Sequence, residues 1–210
     1  LHGGQKVTMT IKPAAVDSGI VFVRKDIKDR DNRIAARWFN VIDTRLSTVI
    51  GNDDQVCVGT IEHLMSAFYG CGIDNALVEI DAPEVPIVDG SAEPFVSLFE
   101  QTGTVLQDKP RKALRILRPI ELRVGDKYMV LMPANQPRVT VEIDFPETAI
   151  SSQVYSLAIV DDNFKRLIAA SRTFGFKKDL DQLRQNGLAR GGSMQNAILV
   201  DGLDILNQEG

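Results

Sequence analysis

The fold of this chain is decided by one stretch, Gly59-Thr60-Ile61-Glu62-His63-Leu64-Met65-Ser66-Ala67-Phe68-Tyr69-Gly70. Its apolar residues recur at the i, i+3, i+4, i+7 spacing that predicts a helix with one buried stripe. His63 points away from that stripe, onto a face of small residues, and Glu62 lies between the two faces. Both fall in the first turn, where unpaired N–H groups and the helix dipole favour a carboxylate and a neutral imidazole. A neutral imidazole can bind a metal ion, and the alternative is a half-buried histidine hydrogen-bonded to backbone.

The segments around this helix predict an α+β unit. Residues 47–50 and 55–58 flank the polar loop 51–54, which is typical of a hairpin, and this hairpin leads directly into the helix. Alternating or short apolar runs predict further strands at 7–11, 20–23 and 76–80. A second helix begins near Pro94, buries Phe95, Leu98 and Phe99, and ends at Gly103.

The composition excludes several classes of protein. The chain has 210 residues, of which 44% are hydrophobic and 25% charged, as in soluble globular proteins. A formal net charge of -4 gives no electrostatic reason to expect a nucleic-acid partner. No apolar run approaches the roughly 20 residues that span a bilayer. Cys57 and Cys71 form neither a C-x-x-C motif nor a disulfide framework.

A polar segment at 107–112 predicts a domain boundary, with one domain at 1–107 and a second at 108–210. The second part repeats the order of elements in the first. Strands are predicted at 114–117, 120–124, 127–132, 139–143 and 196–200. A helix opened by Asp161 and Asp162 is expected to be buried through Phe164, Leu167 and Ile168, and a shorter helix at 179–186 ends at Gly187.

Several separated motifs, in one order along the chain, resemble a known family. They are Thr60-Ile61-Glu62-His63-Leu64, Gly72-Ile73-Asp74-Asn75, Pro83-Glu84-Val85-Pro86-Ile87-Val88-Asp89-Gly90-Ser91-Ala92, Leu1-His2-Gly3-Gly4, Ser171-Arg172-Thr173-Phe174-Gly175-Phe176 and Gly187-Leu188-Ala189-Arg190-Gly191-Gly192-Ser193. With these motifs the chain resembles UDP-3-O-acyl-N-acetylglucosamine deacetylase, a zinc amidase that carries out the committed step of lipid A synthesis. The resemblance runs from one end of the chain to the other.

The resemblance implies a fold and an activity. The fold is α+β, with two similar α+β sandwich domains packed face to face around the active site and the second domain truncated here. The activity is zinc-dependent hydrolysis of the N-acetyl group of UDP-3-O-acyl-N-acetylglucosamine, which gives acetate and the free amine. The implied enzyme is a cytoplasmic monomer that binds a UDP-linked acylated glucosamine, has at most peripheral membrane contact and binds no nucleic acid.

The same resemblance implies roles for individual residues. Glu62 corresponds to the general base, His63 to the first Zn²⁺ ligand, and the Thr173 hydroxyl to the group that stabilises the oxyanion. Phe174 would line the site near the acyl chain, and Lys127 and Phe145 would meet the nucleotide by charge and by stacking. The hydrophobic passage for the acyl chain corresponds to Leu46, Leu188, Gly191, Gly192 and Ser193. From the residues alone, Thr173 is better explained as a strand or cap residue, and the two leucines as ordinary core residues.

The zinc prediction depends on the family, because no H-E-x-x-H motif is present and the only other histidine, His2, receives no role. Catalytic zinc usually has three protein ligands, and the motifs support one. The remaining ligands and the general acid are expected beyond residue 210, in a longer parent protein. The 210 residues alone are then expected to bind zinc poorly and to be inactive. The alternative is a non-catalytic two-domain protein that binds a nucleotide sugar.

Overall fold

A computed structural model of the chain describes residues 1–208, and its fold is α+β. The first half contains two sheets and two helices. Its elements are β1 (Met9–Pro13), β2 (Ile20–Arg24), β3 (Arg33–Ala35), β4 (Val41–Asp43), β5 (Val49–Gly51), β6 (Cys57–Val58), α1 (Glu62–Gly70), β7 (Ala76–Ile80) and α2 (Glu93–Thr102). One sheet has the order β1-β7-β2-β3, with β7 parallel to β2 and the other pairs antiparallel. The second sheet is the antiparallel β4-β5-β6.

The core of the first half lies where α1 and α2 pack on each other and on the strands. Leu64 and Phe68 of α1 are fully buried, as the predicted stripe requires. The ring of Phe68 stacks on the ring of Phe99 of α2, with 5.0 Å between their centroids. Alternate residues of β7 are buried in the same cluster. Strand β5 pairs antiparallel with β6, and α1 follows directly, so the predicted hairpin that leads into this helix is confirmed.

One predicted core position in α2 is wrong. Leu98 is 44% exposed, whereas Val96 is 2% exposed. The buried stripe of α2 is centred between Phe95, Val96 and Phe99, and at about 100° per residue Leu98 falls at its edge. Gly103 ends the helix as predicted, with a φ of 74° that only glycine adopts without strain.

The second half consists of hairpins and very short helices. Its elements are β8 (Ile120–Val124), β9 (Lys127–Leu131), β10 (Arg138–Phe145), β11 (Ser151–Ala158), α3 (Asn163–Leu167), β12 (Phe174–Phe176), α4 (Leu180–Gln185), β13 (Ile198–Asp201) and β14 (Asp204–Ile205). Strands β8 and β9 form one antiparallel hairpin, and β10 and β11 another. Strand β13 pairs in parallel with β12 and antiparallel with β14.

Two predictions for the second half are wrong. Residues 114–117 form no strand, because no strand among residues 1–208 lies beside them to accept their hydrogen bonds, and Leu114 is 96% exposed. Leu167 is 51% exposed rather than buried. Helix α3 has only 5 residues, so a single side chain, Phe164, enters the core.

The two halves contact each other at the end of α1 and around residues 87–92. A Cβ added to Gly70 would lie 2.0 Å from the ring of Phe164, so the glycine lets α3 pack against α1. The N–H of Ala92 donates to the carbonyl of Ala169 over 2.9 Å. The fixed contact between the halves positions the candidate site.

The predicted domain boundary falls in a segment without helix or strand, residues 103–119. This segment is attached to the first half as far as Lys112, whose ammonium lies 2.9 Å from the carboxylate of Asp17. Arg111 similarly pairs with Asp74 over 2.9 Å. The division into two domains at residue 107 stays a prediction. Among residues 1–208, no helix is long and apolar enough to cross a membrane.

Candidate active site

The first turn of α1 holds the two residues that the sequence singled out. Backbone contacts fix this turn to the hairpin that precedes it. The N–H of Thr48 donates to Glu62 Oε2 over 2.9 Å, and the N–H of Ile61 donates back to the Thr48 carbonyl over 3.4 Å. One carboxylate oxygen of Glu62 is therefore anchored, which orients the other oxygen.

His63 is half-buried, and this burial lowers the pKa of its imidazole below the ordinary value. The negative charges of Glu62 and Asp89 raise the pKa of the imidazole, but by less than its burial lowers it. The imidazole is therefore neutral at neutral pH, as the sequence predicted. Desolvation is the leading cause of the lowered pKa, whereas the prediction of a neutral imidazole was based on the helix dipole.

Asp89 is a site residue that sequence reasoning missed. It follows Val88, which is in the left-handed region, and its Oδ1 accepts hydrogen bonds from the N–H and the hydroxyl of Ser91 over 2.9 and 2.8 Å. Its charge is close enough to act on the imidazole of His63. The residue lies in the motif of residues 83–92, but nothing in that motif indicates which of its carboxylates acts on His63.

Thr173 is held beside the same loop by its backbone. Its N–H donates to the carbonyl of Gly90 over 2.8 Å, and its carbonyl accepts from the N–H of Ile198 over 2.8 Å. The preceding Arg172 donates from Nε to the carbonyl of Asp89 over 2.8 Å. The Asp89–Gly90 loop therefore holds the segment that carries Thr173, and the charge of Asp89 in the same loop acts on His63.

Three phenylalanines form an aromatic cluster directly after Thr173. The centroid of Phe174 lies 5.5 Å from that of Phe145 and 5.7 Å from that of Phe176, and the latter two are 5.4 Å apart. Phe174 is 37% exposed, so the cluster presents an aromatic face to solvent. The structure thus brings together two predicted substrate-binding residues, Phe145 and Phe174.

Two other predicted substrate-binding residues lie apart from this cluster. Lys127 is exposed in the β8–β9 hairpin, opposite Val124, and within residues 1–208 it makes no hydrogen bond or ion pair with another candidate residue. Leu46 lies between β4 and β5, is 60% exposed and has a φ of 62°. Its alternative interpretation as a core leucine is therefore wrong.

The remaining candidates, Leu188, Gly191, Gly192 and Ser193, share one loop, residues 187–193, and this loop packs on the start of the chain. The N–H of Gly191 donates to the carbonyl of Leu1 over 2.9 Å. A Cβ on Gly191 would lie 3.1 Å from Gly4 Cα, so the small residue lets the two backbones approach closely. The family resemblance implies a place for the same residue in the acyl passage. Leu188 is half-buried, and the N–H of Ser193 donates to Asn196 Oδ1 over 2.8 Å.

The donor atoms near α1 do not by themselves complete a metal site. Within the described part of the chain, no group of three or more His, Cys, Asp or Glu side chains could hold a metal ion. His63 offers a neutral imidazole with carboxylates nearby, which is the chemistry of one zinc ligand.

Comparison with known proteins gives a consistent result. A model of the family described as LpxC, UDP-3-O-acyl N-acetylglycosamine deacetylase, matches residues 1–210. Proteins named UDP-3-O-acyl-N-acetylglucosamine deacetylase from Phenylobacterium zucineum (strain HLK1) and Myxococcus xanthus (strain DK1622) are each 48% identical over 210 residues. One from Shewanella loihica (strain ATCC BAA-1088 / PV-4) is 47% identical over 212 residues. The three matches cover all of this chain, and they cover 72%, 66% and 69% of the Phenylobacterium, Myxococcus and Shewanella proteins, respectively.

Proposed function

Because the chain belongs to the LpxC family of UDP-3-O-acyl-N-acetylglucosamine deacetylases, we propose that the protein it represents hydrolyses the N-acetyl group of that substrate. The products are acetate and the free amine, and the step commits the substrate to lipid A. The observation that carries this proposal is the neutral, half-buried His63 beside the anchored carboxylate of Glu62, next to the loop that leads to Thr173. A cytoplasmic monomer that meets the membrane only through its acylated substrate is part of the same proposal.

Glu62 is the general base in this proposal. The Thr48 N–H occupies Oε2, so Oε1 is left to take a proton from water.

His63 is proposed as one ligand of a catalytic Zn²⁺ ion, because its burial keeps the imidazole neutral and free to donate a lone pair. The other ligands would come from outside residues 1–208, since the described side chains do not complete the set. Such an ion, when bound, supplies a polarised carbonyl and a water of lowered pKa.

Thr173 is proposed to donate its hydroxyl to the oxyanion that forms on the acetyl carbonyl. Its backbone is fixed on both sides, by Gly90 and by Ile198, and a fixed donor stabilises the transition state without reorganising. The cluster around Phe174 then gives the substrate an aromatic surface next to the reacting centre. Further substrate contacts are proposed for Leu46, Lys127, Phe145, Leu188, Gly191, Gly192 and Ser193.

The test is Glu62→Gln in the full-length protein. The amide oxygen of glutamine still accepts from the Thr48 N–H, so the fold is kept, but the side chain no longer takes a proton at neutral pH. We expect kcat to fall by about 10²–10⁴, measured as acetate release, with the metal content unchanged.

The matched control is Glu93→Gln, which removes a carboxylate from the first turn of the other helix, α2. It should retain wild-type turnover. Equal activity of Glu62→Gln and the wild type would remove Glu62 from the mechanism, and loss of metal together with activity would assign it a ligand role instead.

A further inference from the structure

Glu84 is a largely buried carboxylate that the proposed reaction does not use. Its side chain is 14% exposed. Oε1 accepts from the N–H of His2 over 2.7 Å and from the hydroxyl of Thr60 over 3.0 Å, and Oε2 accepts from the N–H of Gly3 over 2.7 Å. The nitrogen of Leu1 is 2.9 Å from Oε1. Successive backbone nitrogens thus converge on one anion.

On one side, Glu84 is fixed to the residues that open α1. The N–H of Gly59 donates to the carbonyl of Pro83 over 2.8 Å, and the N–H of Val85 donates to the carbonyl of Gly59 over 3.0 Å. The next residue, Thr60, is 2% exposed and donates its hydroxyl to Glu84. Residues 59–60 lead directly into Glu62 and His63, so the carboxylate of Glu84 keeps a fixed position relative to them.

On the other side, residues 1–4 rest on the loop of residues 187–193. The carbonyl of His2 accepts from the N–H of Arg190 over 3.2 Å, and His2 Nδ1 accepts from the N–H of Ala189 over 3.4 Å. A Cβ added to Gly4 would lie 2.9 Å from Arg190 Cβ, so the two segments are in close contact. Residues 1–4 are therefore held between Glu84 and this loop.

We propose that Glu84 is a positioning residue that sets the place of the 187–193 loop relative to the Glu62–His63 turn, and thereby the acceptance of the substrate's acyl chain. This inference rests on the proposed function in one respect only, namely that the substrate carries an acyl chain bound at the 187–193 loop. The physical link is independent of it: a carboxylate that accepts several charge-assisted hydrogen bonds holds residues 1–4, and residues 1–4 hold the loop. Glu84 touches no reacting atom in this role.

The primary test is Glu84→Gln in the full-length protein. Glutamine keeps the shape but loses the charge, and its NH₂ group would face a backbone N–H that needs an acceptor. We expect kcat/KM for a substrate with a long acyl chain to fall about 10- to 100-fold, mainly through KM, because each charged hydrogen bond contributes to that extent. For a 3-O-acetyl analogue, kcat/KM should stay within about 3-fold of the wild type, below the loss expected for one neutral hydrogen bond.

Hydrogen exchange supplies a readout that does not depend on activity. Amides of His2, Gly3 and residues 189–191 should exchange faster in Glu84→Gln, whereas amides of α1 should not. Glu84→Asp, which keeps the carboxylate, should restore part of the protection. Glu79→Gln is the matched control, since Glu79 pairs with Lys12 on the sheet and should change neither readout.

Each outcome decides between the possibilities. An equal loss for both substrates would place Glu84 at the reacting centre and overturn the proposal. Unchanged exchange in residues 189–191 would overturn it as well. If the wild type shows no deacetylase activity, the proposed function fails while faster exchange still supports the link. Should Glu84→Gln fail to fold, Thr60→Val removes one hydrogen bond to the carboxylate, and it must raise exchange at His2 and Gly3 for the proposal to stand.

Discussion

The two halves of the chain use the same kinds of element but bury very different amounts of apolar surface. Almost every buried apolar side chain lies before residue 103, and the exceptions within residues 1–208 are Leu157, Phe164, Ala169 and Val200. Strands β8 and β9 are exposed along their whole length, including Leu122 at 64%. An apolar sheet face is stable only against a second layer. The first half has that layer in α1 and α2, and the second half, as described, does not.

This difference divides the candidate site into two parts. Glu62 and His63 lie on α1, which is part of the packed core, so their position is set within the first half. Thr173 and Phe174 lie on a short strand region whose place depends on contacts with the loop at Gly90. The geometry of the candidate site therefore depends on the contact between the halves, and substitutions in the two halves should affect the site differently.

The largest effect is expected from Phe68→Ala. The side chain is 1% exposed and stacks on Phe99, so its loss removes the centre of the core and should reduce the free energy of unfolding by about 3–5 kcal/mol. Leu122→Ala is the matched control in the second half, where the change should stay within about 0.5 kcal/mol because the side chain is exposed. Urea unfolding followed by circular dichroism measures both. A comparable loss for Leu122→Ala would show that the second half has a core of its own.

A smaller effect is expected from Gly90→Ala, at the contact between the halves. Gly90 has a φ of 88°, and a Cβ there would lie 2.1 Å from the backbone oxygen of Asn196. Gly103→Ala has the same kind of backbone strain, with a φ of 74°, but no atom within 4 Å of the added Cβ. We expect Gly103→Ala to cost about 1–2 kcal/mol. Gly90→Ala should cost about 1–3 kcal/mol more, because the backbone must move.

The same pair of variants tests whether the contact controls the site. Gly90→Ala should increase hydrogen exchange at Thr173 and Ile198, whose hydrogen bonds depend on the position of Gly90. Gly103→Ala should leave those amides protected. Equal exchange in the two variants would mean that Thr173 is held by its own half alone.

The difference in apolar burial between the two halves also determines which elements the sequence could predict. Helices α1 and α2 and strands β2 and β7 were predicted because each has one apolar face that the core covers. Strands β3, β4, β11, β12 and β14 were not predicted, and the predicted strand at 114–117 does not form. In the second half β8, β9, β10 and β13 were predicted, but the apolar pattern did not indicate which further segments pair with them.

The candidate site shows the same limit. Glu62 and His63 were singled out because local spacing places them in the first turn of one helix, and the family resemblance supplied their roles. The approach of Asp89 to His63 and the hydrogen bonds from residues 1–3 to Glu84 join residues far apart in sequence. Such contacts depend on the tertiary fold, and one sequence carries no local signal for them.

The smallest effect concerns pH and the anchoring of residues 1–4 by Glu84. Burial alone would raise the pKa of Glu84, but the hydrogen bonds from the N–H groups of Gly3 and His2 lower it below the usual 4.5. A carboxyl whose pKa is depressed in the folded state stabilises that state fully above its unfolded pKa. The contribution is lost as pH falls through the folded pKa.

We therefore expect the His2 and Gly3 amides to stay protected at pH 5 and to lose protection only below about pH 4.5, the usual pKa of a glutamate. Carboxyl NMR of Glu84 and amide exchange between pH 3 and pH 6 measure this. In Glu84→Gln the protection of these amides should be low from pH 3 to pH 6 and should not change with pH as it does in the wild type, because a glutamine side chain does not titrate. A Glu84 carboxyl that titrates above 4.5 would show that desolvation outweighs the backbone hydrogen bonds, and residues 1–4 would then be held mainly by the 187–193 loop.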